Sequence, residues 1–149
     1  QILEVLLWRS WALTQEQIQQ IPPKVIQGIP VSIIHQLTPR TLHLLSPEQF
    51  RHVTVDQIRT LRPVQVCGIT SEHIRAMTEE QIRAFLPSHI KAMTSNQILA
   101  LVATGKMRVM TARQFNSVPR RVRSRIHQIK AQLFPKRPRK RLRPGRGSR

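Results

Sequence analysis

The sequence predicts an all-α fold: a superhelical solenoid of very short helices built from an eight-residue repeat, with a disordered basic C-terminal tail. Two observations support this fold class. First, residues 13–100 divide without a gap into eleven octads, LTQEQIQQ, IPPKVIQG, IPVSIIHQ, LTPRTLHL, LSPEQFRH, VTVDQIRT, LRPVQVCG, ITSEHIRA, MTEEQIRA, FLPSHIKA and MTSNQILA. Second, positions one and six are apolar in every octad. A fixed internal period indicates a quasi-one-dimensional repeat fold.

Each octad carries signals that begin a helix. Position two is most often Ser or Thr, whose side-chain oxygen accepts hydrogen bonds from the free N–H groups of a first turn. Position five is most often Gln, which completes a capping box, and positions one and six then form a hydrophobic staple. The predicted caps are Thr14, Thr38, Ser46, Thr54, Thr70, Thr78 and Thr94. Their predicted partners at position five include Gln17, Gln49, Gln57, Gln81 and Gln97, while His73 and His89 replace Gln in two octads.

Prolines separate the helices from one another. Pro39, Pro47, Pro63 and Pro87 fall at the first helical position, where a missing N–H does no harm. One long amphipathic helix is excluded, because these prolines would break it and the apolar spacing does not follow one helical face. Helices this short are unstable alone in water. We therefore expect each octad to bury its apolar residues by stacking on its neighbours.

The chain divides into four predicted segments. Residues 1–12 are expected to form an N-terminal capping helix, and residues 13–117 form the octad array, whose last octad is MTARQFNS. Residues 118–134 are predicted as a basic amphipathic helix, because their apolar residues recur every three or four positions. Residues 135–149 contain three prolines and two glycines and are expected not to fold. Since the chain starts at Gln1 rather than Met, we expect a fragment or a processed product.

Positive charge is concentrated in the C-terminal half. Residues 1–80 hold seven Lys or Arg and seven Asp or Glu, whereas residues 81–149 hold eighteen Lys or Arg and no acid, so this half carries the net charge of +18. Such a segment either binds phosphate through counterion release or is a solvated helix face and tail. The tail sequence KRPRKR also resembles a nuclear localisation signal. The candidate residues for binding nucleic acid or another polyanion are Arg120, Arg121, Arg123, Arg125, Lys130, Lys136, Arg137, Arg139, Lys140, Arg141, Arg143, Arg146 and Arg149.

A column of cations occupies position seven of the octads. Its members are Arg51, Arg59, Arg75, Arg83 and Lys91. Four of them follow an acid at position four by three residues, which predicts ion pairs within single helical turns. The acids also favour the positive end of each helix dipole. The alternative is that the column contacts a phosphate backbone or an acidic protein partner from the solenoid face.

No pattern in the sequence indicates an enzyme. Capping and helix dipoles explain most of the acids, so no pair is left over for general acid–base catalysis. The six histidines are scattered, Cys67 is the single cysteine, and no Gly-rich phosphate loop is present. We therefore expect no catalytic residue, no metal and no cofactor. No apolar run approaches the length of about 20 residues that spans a membrane.

The octads resemble a known class of repeats. Units such as LSPEQFRH, VTVDQIRT, ITSEHIRA and MTEEQIRA resemble the L-T-x-x-Q-I-x-A-L arrays of large secreted proteins and type III effectors of proteobacteria. They are also similar to the short-helix octads of the mesothelin superfamily, an all-α superhelix of extracellular proteins. The resemblance covers residues 13–117 and implies an architecture and no catalytic residue. The lone cysteine and the basic tail favour an effector that acts inside a host cell over a mesothelin-like protein.

Three functional hypotheses follow. The first is a non-enzymatic, monomeric bacterial effector, or a fragment of one, that is secreted and binds nucleic acid through its basic C-terminal half, in a host nucleus. The second is a protein–protein scaffold that binds an acidic partner and uses the tail for nuclear targeting. The third is a component of a ribonucleoprotein that threads its tail into RNA.

Overall fold

The computed structural model describes residues 14–133, which fold as a stack of short helices with no β-strand in that range. The all-α solenoid predicted from the octads is therefore confirmed. The helices are α1 (Gln15–Gln19), α2 (Pro23–Gln27), α3 (Val31–Gln36), α4 (Pro39–Leu44), α5 (Pro47–Arg51), α6 (Val55–Thr60), α7 (Pro63–Val66), α8 (Ser71–Ala76), α9 (Glu79–Ala84), α10 (Pro87–Ala92), α11 (Ser95–Ala103), α12 (Ala112–Ser117) and α13 (Arg120–Leu133). The predicted capping helix at 1–12 and the basic tail at 135–149 lie outside the described residues.

The predicted caps begin the helices where the octad pattern places them. In α6 the hydroxyl of Thr54 accepts a hydrogen bond from the N–H of Gln57 at 3.2 Å, and the side-chain oxygen of Gln57 accepts from the N–H of Thr54 at 2.9 Å. The same reciprocal pair joins His73 to Thr70 in α8. Each pair satisfies N–H groups that a helix start leaves free. The chain can therefore begin a new helix every eight residues.

The apolar positions form one continuous core. Position six is almost completely buried in each of the eleven octads of residues 13–100, as at Ile18, Ile58 and Ile98, which are 0% exposed. Position one lies in the extended link between helices and is also buried, as at Leu37 and Met77. The core cluster runs through the array from α1 to α13. Hydrophobic burial thus holds the turns of the solenoid together.

Helices pack on partners three units along the chain. Helix α1 contacts α4, α2 contacts α5, α5 contacts α8, and α8 contacts α11. One turn of the superhelix therefore holds between three and four octads. Within residues 14–133 no helix is both long and apolar enough to cross a lipid bilayer.

The side chain at position five links successive turns, a contact that we call the octad latch. The amide nitrogen of Gln57 donates to the carbonyl of Ile26 at 2.7 Å and to that of Ile29 at 2.9 Å. These acceptors lie 31 and 28 residues earlier, at position six of one octad and position one of the next. Because the amide oxygen already caps its own helix, one Gln satisfies backbone groups in two turns. The same latch is made by Gln49, Gln65, Gln81, Gln97 and Gln114.

The latches leave no buried polar side chain unsatisfied. Gln49, Gln57 and Gln65 are at most 2% exposed, and an unpaired amide at such a site would be costly. Among the described residues, every buried side-chain nitrogen or oxygen has a hydrogen-bond partner. The polar column at position five therefore belongs to the core as much as the apolar columns do.

The octad pattern changes after α11. This helix continues to Ala103, and Gly105 then adopts a left-handed conformation with φ of 71°. A short 3-10 helix (Lys106–Val109) follows, and α12 resumes the octad with a capping box between Thr111 and Gln114. Glycine tolerates a positive φ without steric cost, which explains why the chain turns at Gly105.

We expect Gln57→Ala to destabilise the fold more than Gln17→Ala. Both changes remove a capping box, worth about 0.5–1 kcal/mol, but Gln17 is exposed and makes no latch among the described residues. Gln57→Ala also leaves carbonyls without donors, so its total cost should be about 2–3 kcal/mol. Urea unfolding followed by far-UV circular dichroism measures both. Equal losses in the two variants would show that the latch contributes nothing.

We expect Gly68→Ala to be strongly destabilising and Gly28→Ala to be tolerated, although both glycines end their octads. A Cβ at buried Gly68 would overlap the carbonyl group of Pro39 in α4. At exposed Gly28 the nearest atom to a Cβ is the carbonyl oxygen of Val25, at an ordinary 3.6 Å. Overpacking costs about 1–3 kcal/mol or more, whereas a compatible Gly→Ala change stabilises by about 0.4–1 kcal/mol. Thermal unfolding of both variants tests this difference, and similar melting temperatures would contradict it.

Candidate nucleic-acid interface

Charge is divided along the superhelix. Residues 14–80 contain six Lys or Arg and six Asp or Glu, whereas residues 81–133 contain ten Lys or Arg and no acid. The first turns of the solenoid are therefore neutral in sum, and the last turns are strongly positive. The fold places this charge in the last helices of the stack.

Helix α13 is amphipathic, as the sequence predicts for residues 118–134. Val122 and Ile126 are buried, with 3% and 1% of their surface exposed, and α13 packs on α11. Two of the predicted binding residues, Arg121 and Arg125, are exposed and lie one helical turn apart. Arg120 is exposed beside them. The apolar stripe thus fixes α13 to the array and leaves these three guanidinium groups facing solvent.

Arg123 has a different role from its neighbours on α13. It is half-buried, its Nε donates to the carbonyl of Val118 at 2.9 Å, and its Nη2 donates to the carbonyl of Asn116 at 3.2 Å. These carbonyls lie where α12 ends, and cations near a helix C-terminus stabilise it. Of the predicted polyanion-binding residues, Arg123 is therefore held by the chain's own backbone.

Of the remaining predicted polyanion-binding residues, one lies within the residues that the structure describes and the others do not. Lys130 belongs to α13. The tail residues Lys136, Arg137, Arg139, Lys140, Arg141, Arg143, Arg146 and Arg149 lie outside the described residues. The structure therefore places the exposed arginines of α13 on the array, and the tail residues stay a prediction.

The position-seven cations are all exposed, but their predicted ion pairs form only in part. Among Arg51, Arg59, Arg75, Arg83 and Lys91, only Arg75 pairs with the acid three residues before it, Glu72. Arg83 instead lies 3.8 Å from Glu79, four residues earlier. Glu48 pairs with His52 at 3.4 Å rather than with Arg51. The prediction failed at these positions because helices of about five residues let a carboxylate reach other cations at the helix end or in the next turn.

Three cations of this column have no ion-pair partner within residues 14–133. They are Arg51, Arg59 and Lys91. All three are exposed on the outside of the array. They form a second group of cations that is free to contact an acidic ligand.

Two further basic residues of the last turns support the fold. The side chain of Lys106 donates to the carbonyls of Ile74, at 2.7 Å, and Arg75, which places it in the latch position of the irregular segment. Burial, and then the nearby charge of Arg51, lower the pKa of Lys106 from its ordinary value. Arg108 bonds to Glu79 at 2.6 Å across the turn, and this hydrogen bond lowers the pKa of the Glu79 carboxyl. Sequence reasoning missed both, because Gly105 interrupts the octad register that relates them to earlier turns.

One exposed cation near α13 was also missed. Arg113 stands at position four of the last octad, where Glu48, Glu72 and Glu80 stand in earlier octads. The replacement of an acid by Arg at this register is visible in the sequence. Arg113 therefore adds to the positive surface of the last turn.

The side chains that most often bind metal ions are not clustered in the part of the chain that the structure describes. Within residues 14–133, no group of three or more His, Cys, Asp or Glu side chains is placed to hold a metal ion. The Nδ1 of His35 lies 3.0 Å from the carbonyl oxygen of Thr60. Cys67 is exposed. The candidate site is therefore the positively charged surface of the last turns.

Comparison with known protein families, with curated proteins and with solved structures found no match to this chain. The functional assignment of the positive surface therefore depends on its residues and their geometry.

We expect Arg123→Gln to lower the stability of the fold by about 1 kcal/mol, because it removes hydrogen bonds to two helix-end carbonyls. Arg125→Gln is a matched control on the same helix, since Arg125 is exposed and makes no ion pair within residues 14–133. It should change stability by less than about 0.5 kcal/mol. Urea unfolding of both variants gives the comparison. Equal effects would contradict the role assigned to Arg123.

Proposed function

We propose that this protein is a non-enzymatic binding module whose basic C-terminal end binds nucleic acid. The observation that carries the proposal is α13, which buries Val122 and Ile126 against the array and exposes Arg120, Arg121 and Arg125. No carboxylate within residues 14–133 pairs with these three arginines. Three unpaired guanidinium groups fixed on one rigid helix suit phosphate oxygens, which arginine binds with a planar fork of donors.

The proposed mechanism is electrostatic. Cations that neutralise phosphates release condensed counterions, and this release drives binding without a choice of sequence. The array supplies rigid attachment for α13, so its arginines lose little freedom on binding. The tail at 135–149 adds eight Lys or Arg directly after this helix. In this proposal, α13 and the tail bind one continuous phosphate backbone.

A second candidate function is a protein scaffold that binds an acidic partner. It is favoured by Arg51, Arg59 and Lys91, which are exposed on the array and lack ion pairs among the described residues. In that case the tail serves nuclear targeting through KRPRKR. The two functions use different cations, so substitution of each group separates them. The third hypothesis, a ribonucleoprotein component, differs from the first in its preference for RNA.

The wider proposal is that the protein acts as a bacterial effector inside a host cell. It is supported by the resemblance of the octads to effector arrays and by the basic tail. A fluorescent fusion expressed in cultured cells tests the targeting part. Nuclear accumulation that depends on residues 135–149 supports it, and an even distribution of the intact chain contradicts it.

We expect the intact chain to bind random duplex DNA and single-stranded RNA with a steep dependence on salt. The triple change R120Q/R121Q/R125Q should lower the slope of log affinity against log salt by about 2–3 on duplex DNA, since each lost phosphate contact removes about 0.9. Truncation after Leu133 should weaken binding further, because it removes the tail cations. Fluorescence anisotropy across a salt series measures both effects.

The matched control is R51Q/R59Q/K91Q, which removes the same charge from the array face. Under the proposal it changes the slope much less than the α13 variant, because only general attraction is lost. Equal effects of the two triple variants would assign binding to the total charge and contradict the site. Absence of binding by the intact chain near physiological salt would overturn the nucleic-acid function. Capture of an acidic protein that is lost only in R51Q/R59Q/K91Q would establish the scaffold.

A further inference from the structure

Two of the octad latches are made by histidine instead of glutamine. His73 and His89 stand at position five and are each only 1% exposed. The Nδ1 of His73 lies 3.0 Å from the N–H nitrogen of Thr70, and its Nε2 lies 2.6 Å from the carbonyl of Leu45 in an earlier turn. Each imidazole therefore holds the start of its own helix and one carbonyl 28 residues earlier.

The second histidine repeats this geometry. The Nδ1 of His89 lies 3.0 Å from the backbone nitrogen of Leu86, and its Nε2 lies 2.6 Å from the carbonyl of Leu61. The ring of His73 stacks on Phe50 with centroids 4.6 Å apart, and that of His89 meets Phe85 edge to face at 6.0 Å. Both imidazoles are thus enclosed by apolar groups and backbone.

The backbone partners determine the protonation state. A backbone N–H only donates, so Nδ1 must accept and carries no hydrogen. A carbonyl only accepts, so Nε2 must carry the hydrogen. The native contact therefore requires the neutral imidazole with its proton on Nε2. A second proton would place an N–H on Nδ1 directly against another N–H, at a ring that is only 1% exposed to solvent.

Protonation would remove Nδ1 as a hydrogen-bond acceptor, and the charged groups around the two rings do not compensate for that loss. Against His73 lie Glu72 on its own helix, which favours the cation, and His43 on α4, which opposes it. The packed helix α5 carries Glu48 and Arg51, whose charges oppose each other, and α11 carries no charged residue.

His89 has still fewer charges near it. The helices packed on α10 are α7 and α12. The titratable groups on and beside them are cations and a thiol, Arg62, Cys67 and Arg113. None of these stabilises an imidazolium.

We propose that His73 and His89 make the middle turns of this superhelix open in acid, so that the array is a pH-sensitive device. Protonation of either ring breaks the bond to its own helix cap, because Nδ1 can then only donate. The ring must turn away from that backbone N–H, and its Nε2 bond to the carbonyl of the earlier turn is lost with the rotation. The turns joined through Leu45 and Leu61 then separate. Octads closed by glutamine have no proton to gain and stay latched, which confines the opening to two defined joints.

The direction of the pH dependence follows from burial. Desolvation lowers the pKa of His73 and of His89 in the folded chain below the ordinary value of 6.5. Between the two values the unfolded chain holds a proton that the folded chain lacks, so stability rises with pH. The stabilising contribution is complete above about pH 6.5 and is lost as the pH falls through the folded pKa.

The test is the unfolding equilibrium of the chain between pH 8 and pH 5, compared with the double variant H73Q/H89Q. This variant installs the residue that other octads use. The equilibrium constant of unfolding of the native chain should rise by up to about tenfold per histidine for each pH unit below 6.5. In H73Q/H89Q this rise should disappear. The exposed His127 provides a matched control, and H127Q should keep the native pH dependence.

Two outcomes would overturn the inference. One is a double variant whose stability falls with pH as steeply as that of the native chain. The other comes from NMR of the native chain and does not depend on the variant folding. Because burial lowers their pKa below 6.5, His73 and His89 should keep the neutral Nε2–H form at pH 6.5. Protonation of the two buried rings near pH 6.5 with the fold unchanged would show that the latches tolerate the cation.

Discussion

The solenoid depends on side-chain amides that each make two kinds of hydrogen bond, one within their own helix and one to an earlier turn. In each latch, as at Gln57, the amide oxygen begins a helix and the amide nitrogen ends another helix four octads earlier. An octad alone buries only two apolar residues and cannot form a stable helix. The latch joins such units along the superhelix axis and satisfies polar groups that close packing removes from water. Cap, core and stacking are therefore set by the same residue.

The local features of this fold were predictable because they are encoded within eight residues. Caps, staples and helix starts involve neighbours in sequence, so a reading of the octad locates them. The latch was not predicted, because its acceptors lie 28 and 31 residues away and depend on the number of octads per turn. A trace of it is present in the sequence. Position five is Gln or His in every octad from Gln49 to residue 100, where an earlier turn supplies acceptors, whereas Val25, Ile33 and Thr41 hold it in the three octads before.

The candidate site was predictable in its charge and not in its detail. Composition alone separates a neutral half from a basic half, and the apolar spacing of α13 indicates which side it buries. The roles of single cations depend on carbonyls at helix ends, which no local pattern reveals. Arg123 and Lys106 are bound by such carbonyls. Arg121 and Arg125 carry the same guanidinium group as Arg123 but are exposed to solvent.

The division between neutral latches and free cations bears on function. The buried column at position five consists of Gln, His and Thr in the described octads that bury it, so the core needs no ionised group. Four of the ten basic residues in residues 81–133 pair with Glu79 or bond to backbone carbonyls, whereas exposed ones such as Arg121 and Arg125 have no ion pair among the described residues. Like charges at this density repel one another and lower stability. We propose that a ligand neutralises this positive surface, and phosphate groups in a polymer do so with the least demand on shape.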